Sequence, residues 1–146
     1  MKRNINIINK KAKFEYEFIQ NYICGIVLMG SEVKSIREGR VSLNESYCVF
    51  MNNELFLKNT NISELKTSFG HTATQDRKLL LKKQELKKLK KELVKGLTII
   101  PYRVFINEQG FVKVEIALAR GKKIHDKRES LKLKDIERDI KKQLKH

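Results

Sequence analysis

The side chains best suited to chemistry in this sequence are few and scattered. Its three histidines, His71, His125 and His146, share no ligand spacing with one another or with the two cysteines, Cys24 and Cys48, so there is no zinc signature. Each cysteine sits in an apolar run with no CxxC pair, which favours free buried thiols in a reducing compartment over a disulfide. Glu15 and Glu17 fall on one face of an alternating run and read as a solvated strand face rather than an acid/base pair. His125 beside Asp126 is the one pairing of a base with an orienting group. It lies in a stretch too polar to bury it, and acid/base catalysis needs fixed geometry. No Walker A, GxSxG or GxGxxG segment occurs. The sequence therefore predicts no catalytic residue, no metal site and no cofactor.

What remains is charge. Lys and Arg total 32 against 17 acidic residues, a formal net charge of +15. A polycation binds polyanions through counterion release, so nucleic acid, an anionic membrane and acidic proteins are the partner classes. No apolar run approaches the length of a membrane span, and Met1 to Asn9 lacks a signal-peptide core. No membrane partner and a cytoplasmic location are expected. The cations fall in local groups: Asn9-Lys10-Lys11-Ala12, Lys34 with Arg37 three residues on, Arg77-Lys78, and Arg120-Gly121-Lys122-Lys123. Singly, each reads as a solvated charge group. Four of them on one chain of +15 point to phosphate. Phe69, Tyr102, Phe105 and Phe111 are the few aromatics available for stacking, which favours structured RNA over a single-strand platform.

These groups need a frame. Phe14 to Phe18 alternates apolar and charged residues, the period of a half-buried strand, and Tyr22 to Met29 reads as a more deeply buried one. Ser31 and Glu32 open a short helix, with Ser31 as N-cap and Gly39 as its stop. Tyr47 to Met51 and Glu54 to Lys58 flank Asn52-Asn53, a hairpin. Leu79, Leu86 and Leu93 recur every seven residues with Leu89 between, predicting a helix over residues 75–95 that Arg77-Lys78 opens, where free amides favour phosphate. Gly96 ends it. A second hairpin joins Thr98 to Ile106 with Phe111 to Ala119. Beyond it, residues 120–146 hold eleven cations, five acids and sparse apolar residues. They predict a basic tail, disordered when free, with latent helix from about Leu131. The expected fold is mainly β with helices (α+β). Five or six antiparallel strands over residues 1–119 close into an oligonucleotide-binding-type barrel with flanking helices. From these features alone, a generic barrel-type nucleic-acid binder and an RNA nuclease or modifier remain alternatives to an RNA adaptor.

Several segments, in order, resemble the small protein B family, the tmRNA-binding proteins of bacterial trans-translation. They are Asn9 to Ala12, Gly30-Ser31-Glu32-Val33-Lys34-Ser35-Ile36-Arg37, Asn44 to Tyr47, Arg77-Lys78-Leu79-Leu80-Leu81, Gly96 to Pro101, and Lys113 to Arg128. The resemblance covers about residues 9 to 128, and its last block is the most specific. It implies a monomeric barrel that grips the tRNA-like domain of tmRNA through Asn9, Lys10, Lys11, Glu32, Lys34, Ser35, Arg37, Arg77, Lys78 and Leu80. The tail would enter the small-subunit decoding centre and empty mRNA channel of a stalled ribosome. Arg120, Gly121, Lys122, Lys123, His125, Asp126, Lys127 and Arg128 would contact ribosomal RNA there. Two departures stand out. Ile23 occupies a position that is usually acidic, and Thr72-Ala73 with Gln75 replaces an Asp-Pro and an Arg. The tail is also shorter than many.

The charge makes a quantitative demand. If roughly 5 to 8 phosphates are neutralised, log K for RNA should fall with log salt at a slope of about −0.7 to −0.9 per contact. Filter binding across a salt series measures it, and a slope near zero would overturn the electrostatic reading.

Overall fold

In the computed structural model the described residues are 4–65 and 70–122. The expectations for a disordered tail, a latent helix from Leu131, and Phe69, Lys123, His125, Asp126, Lys127 and Arg128 lie outside them. Within them the chain is mainly β, with three helices: β1 (Asn6–Ile8), α1 (Ala12–Glu15), β2 (Tyr16–Ile26), α2 (Gly30–Arg37), β3 (Val41–Ser42), β4 (Tyr47–Met51), β5 (Glu54–Lys58), β6 (Asn61–Ile62), β7 (Arg77–Leu80), α3 (Lys83–Leu93), β8 (Thr98–Ile106) and β9 (Val112–Gly121). Seven strands form one antiparallel sheet in the order β1-β8-β4-β5-β7-β2-β9, and β9 pairs again with β8. The pairings from β8 round to β9 thus return to their start. β3 and β6 form a separate two-stranded sheet.

Local chemistry accounts for the turns. Asn52 and Asn53 both take positive φ, at 52° and 64°, as a tight β4–β5 hairpin requires and Asn tolerates. Gly39 adopts φ +75° just past α2. Its amide bonds to the Ile36 carbonyl at 2.9 Å, and the Arg40 amide to the Ser35 carbonyl at 2.9 Å, closing the helix end in the left-handed conformation that Gly permits.

The core has two parts. Cys24, Leu55, Leu57, Leu79, Ile99, Val114, Ile116 and Leu118 fill the space inside the pairings, with Ile36 of α2 and Leu89 of α3 joining the same cluster. On the other side of β8 and β9, Ala117, Ala119 and Ile100 receive Ala12 of α1. β9 is therefore covered on both faces, and the small alanines are what let the one-turn α1 sit close.

Four expectations change. Phe14 and Glu15 belong to α1 rather than to a strand, because Ala12 docks on that alanine patch. Residues 16–26 then form one long strand with an irregularity between Phe18 and Gln20, so the two expected strands merge. Second, Ile23 alternates outward and is 51% exposed, whereas Tyr22 and Cys24 face in. Third, the predicted 75–95 helix begins only at Lys83. Arg77 to Leu80 is β7, paired with β5 through Leu57, Phe56 and Leu55 and with β2 through Ile26 and Gly25. Leu79 fits the seven-residue spacing by coincidence, since inward alternation with Arg77 is what buries it. The strand count accordingly exceeds five or six. Fourth, Met29 rather than Ser31 is the N-cap of α2.

Burial pushes the Cys24 thiol from an ordinary 9.0 up to about 12, and it raises Cys48 well above its ordinary value. Both are free. The folded state therefore holds these protons after the unfolded chain has released them. Stability should be intact below about pH 9 and fall as pH rises toward about 12. Neither thiol should react with Ellman's reagent in the native protein at pH 8, and both should react on unfolding. Rapid native labelling would contradict the burial.

Candidate nucleic-acid interface

The most constrained group is inside the protein. Glu32 sits at the third position of α2, and its Oε1 accepts the Met29 amide at 2.9 Å and the Gln75 side-chain amide at 3.3 Å. Its Oε2 accepts Nε of Arg77. Arg77 lies on β7 and is 2% exposed, and Glu32 is 1% exposed. The remaining guanidinium nitrogens are occupied too. Nη1 donates to the Thr60 carbonyl at 2.7 Å, and Nη2 to the Ala73 carbonyl at 2.9 Å and the Thr72 carbonyl at 3.4 Å. A buried charge is tolerated when paired and fully hydrogen-bonded, and the fixed fork of Arg suits several acceptors at once.

A second set of bonds runs alongside. The Ser35 hydroxyl donates to the Ser63 carbonyl at 2.6 Å. His71 is buried, with Nε2 at 2.9 and 3.0 Å from the Ile62 and Ser63 carbonyls and Nδ1 at 2.8 Å from the Ser31 hydroxyl. Two carbonyls facing Nε2 call for a donor there, while the Ser31 hydroxyl can either donate or accept at Nδ1. These side chains join α2 to β6 and the segment that follows, beside backbone bonds from the Ile62 amide to the Ala73 carbonyl at 2.9 Å and from the Ser63 amide to the Arg40 carbonyl at 3.1 Å.

On this frame the candidate residues divide by direction. Lys34 and Arg37 are exposed on α2, while Glu32 and Ser35 of the same helix point inward. On β7, Arg77 points in. Lys78 points out and pairs with Glu54 at 2.9 Å, and Leu80 is 49% exposed. Gly25 leaves room for Leu80, since a Cβ at that position would stand 3.3 Å from the Leu80 Cβ. Asn9 anchors the approach to α1: its side-chain amide donates to the Pro101 carbonyl at 3.1 Å and its backbone amide to the Tyr102 carbonyl at 2.7 Å. Lys10 and Lys11 are exposed beside it. Arg120 and Gly121 are not past the last strand but within it, opposite Glu17 and Tyr16 of β2, and the Lys122 amide bonds to the Glu15 carbonyl at 2.9 Å.

Arg77 is thus no phosphate-facing cation at a helix start, because that helix begins six residues later and its donors are used internally. Sequence reasoning missed His71 and Thr60 as parts of the support and gave Ser31 a capping role in place of its bond to His71. No periodicity marks them, and their neighbours in sequence (Gly30 and Glu32, Asn59 and Asn61, Gly70 and Thr72) are small or polar as well. At Ile23 the residue opposite is Glu115. Burial works to raise the pKa of this carboxyl, but hydrogen bonds from Asn21 and Arg103, with the charges of Arg103 and Lys13, outweigh it and hold the group below its ordinary value. Among the described residues no cluster of His, Cys, Asp or Glu is arranged to hold a metal ion, and no helix is long and apolar enough to cross a membrane.

Removing one partner of a buried ion pair strands the other. Arg77→Ala should therefore cost about 3–5 kcal/mol, and Arg77→Lys should also destabilise because one ammonium cannot reach Glu32, Thr60 and Ala73 together. Lys34→Ala should stay within about 0.5 kcal/mol of the unaltered protein. Urea unfolding of the three variants checks this, and an Arg77→Ala protein as stable as the parent would refute it.

Comparison with known proteins places this arrangement. Residues 6–146 match the family model described as SmpB protein. The SsrA-binding protein of Cytophaga hutchinsonii is 57% identical over 143 residues, covering 94% of this chain and 92% of its own length. That of Gloeobacter violaceus is 45% identical over 141 residues, covering 94% and 92%. A solved chain described by the words "tmRNA-SmpB: a journey to the center of the bacterial ribosome" is 39% identical, with a TM-score of 0.70 over 87% of this chain and 94% of that one. The chain belongs to the SmpB protein family.

Proposed function

We propose that this protein is a tmRNA-binding adaptor for trans-translation, delivering tmRNA to stalled ribosomes. The observation that carries the reading is a family match over nearly the whole chain, to relatives whose names state SsrA binding. The geometry agrees with it. The ring of pairings from β8 through β4, β5, β7 and β2 to β9 is an oligonucleotide-binding-type closed barrel with flanking helices. Lys10, Lys11, Lys34, Arg37, Lys78 and Leu80 reach outward from it to the tRNA-like domain. Asn9, Glu32, Ser35 and Arg77 act from inside by holding those groups in place. Arg120 and Gly121 close the end of β9 against β2, and Lys122 leads on from it. The basic tail, with Lys123, His125, Asp126, Lys127 and Arg128, then occupies the decoding centre and empty mRNA channel. The protein supplies binding and placement, and it contributes no catalytic group. The strands through the end of β9 at Gly121 and the tail beyond them act as separable parts, and the site of action is the cytoplasm, where ribosomes are.

Phosphate contacts fix register while stacking and edge contacts discriminate. His125 is the one planar aromatic face in its segment, and stacking on an exposed base is worth about 1–3 kcal/mol. In a tagging assay run beside a tmRNA gel shift, the unaltered protein should shift tmRNA in preference to a control tRNA. His125→Phe should retain tagging and His125→Ala should lose most of it, with tmRNA affinity unchanged in both. Equal shifts of tmRNA and control tRNA would overturn the adaptor reading. His125→Phe as damaged as His125→Ala would overturn stacking alone.

A further inference from the structure

Helix α3 carries charge that the fold does not use. Its leucines Leu86, Leu89 and Leu93 face the core, with Leu89 fully buried. At about 100° per residue, Lys83, Lys87, Lys88, Lys90 and Lys91 fall in a sector roughly 160° wide opposite that seam, and Lys95 follows just past the helix end. All six are exposed. The helix's two acids, Glu85 and Glu92, sit beside the seam. Lys95 pairs with Glu92 at 3.3 Å and Lys90 donates to Asn53. Among the described residues, Lys83, Lys87, Lys88 and Lys91 have no such partner. Lys83, Lys87 and Lys91 are spaced four apart, where like charges repel one another and weaken the helix.

The position matters as much as the charge. Lys90 meets Asn53 at the β4–β5 turn, beside the start of β5. The α2 network gathers beyond the far end of β5, at Thr60 and Ser63. Five residues of strand, roughly 16 Å, separate the two ends. None of the residues assigned above to tmRNA lies on α3.

We propose that the lysine face of α3 is a second RNA-docking surface, and that its occupant is the phosphate backbone of ribosomal RNA. The inference rests on the adaptor reading, in which the barrel must meet a second large RNA while it holds the first. Charge complementarity carries it. Lysine is a compact point charge that takes phosphates without reading bases. A protein partner fits poorly, because lysine is depleted in interface cores while aromatics and Arg are enriched. A membrane fits poorly as well, because the apolar face of α3 is already buried and cannot insert.

The test uses the full chain with Lys83→Gln, Lys87→Gln and Lys91→Gln combined, beside the matching Lys→Arg triple. Both are assayed by tmRNA gel shift and by association of the tmRNA complex with stalled ribosomes across a salt series. The Gln triple should bind tmRNA within about twofold of the parent. It should lose about tenfold or more in ribosome affinity, with the salt slope reduced by about two to three units. The Arg triple should behave as the parent. Unchanged ribosome affinity in the Gln triple, or an equal loss for tmRNA, overturns the proposal. Loss of tmRNA selectivity in the unaltered protein overturns instead the adaptor reading beneath it.

Discussion

The contact between Glu32 and Arg77 joins parts of the chain that the sheet does not. Glu32 belongs to α2 and Arg77 to β7, and the guanidinium also ties down the carbonyls of Thr60, Thr72 and Ala73. Without it, α2 would rest on the strands through Ile36 and Ser35, its other buried residues. Two desolvated charges are costly unless their geometry is good. Here the carboxylate and guanidinium oxygens and nitrogens are met from several directions, so the pair holds one arrangement against alternatives. The bonds from Ser35 and His71 to the Ser63 carbonyl add to the same junction.

That junction governs where the outward cations stand. Lys34 stands between Glu32 and Ser35, and Arg37 directly follows Ile36; all three of these neighbours are buried in the protein. A helix of eight residues is too short to hold itself rigid in water, so its direction comes from these anchors. The same logic applies at α1. Asn9, bonded to Pro101 and Tyr102, and Ala12, packed on Ala117 and Ala119, set the direction of Lys10 and Lys11. Oriented charge differs from mere charge. A net +15 attracts any polyanion, but only cations at fixed spacing can prefer one folded RNA.

How much of this was legible in the residues depends on the range of the interaction. The β4–β5 and β8–β9 hairpins, the Gly39 stop and the buried thiols follow from local chemistry, and each emerges from it. The misreading of Arg77 to Leu80 has a different origin. Arg-Lys-Leu-Leu is equally good as a helix start or a strand, and only the neighbours on β2 and β5, distant in sequence, decide. Likewise the fate of Arg77 depends on Glu32, 45 residues away, which no spacing rule connects. The ordered segments did mark Glu32, Ser35 and Arg77 as important; they could not reveal that these side chains point inward.

The charge distribution completes the picture. Cations of this chain are placed by elements whose opposite faces are committed to the core: Ile36 beneath Lys34 and Arg37, Leu89 beneath the lysines of α3, Ala12 beside Lys10 and Lys11. Each helix therefore couples an apolar anchor to a basic exterior, and the three lie on different parts of one ring of strands. A protein that only neutralised RNA would need no such arrangement, since a disordered polycation does that through counterion release. The folded frame is what turns attraction into position. For an adaptor that must present one RNA to another, position is the property that binding energy alone cannot supply.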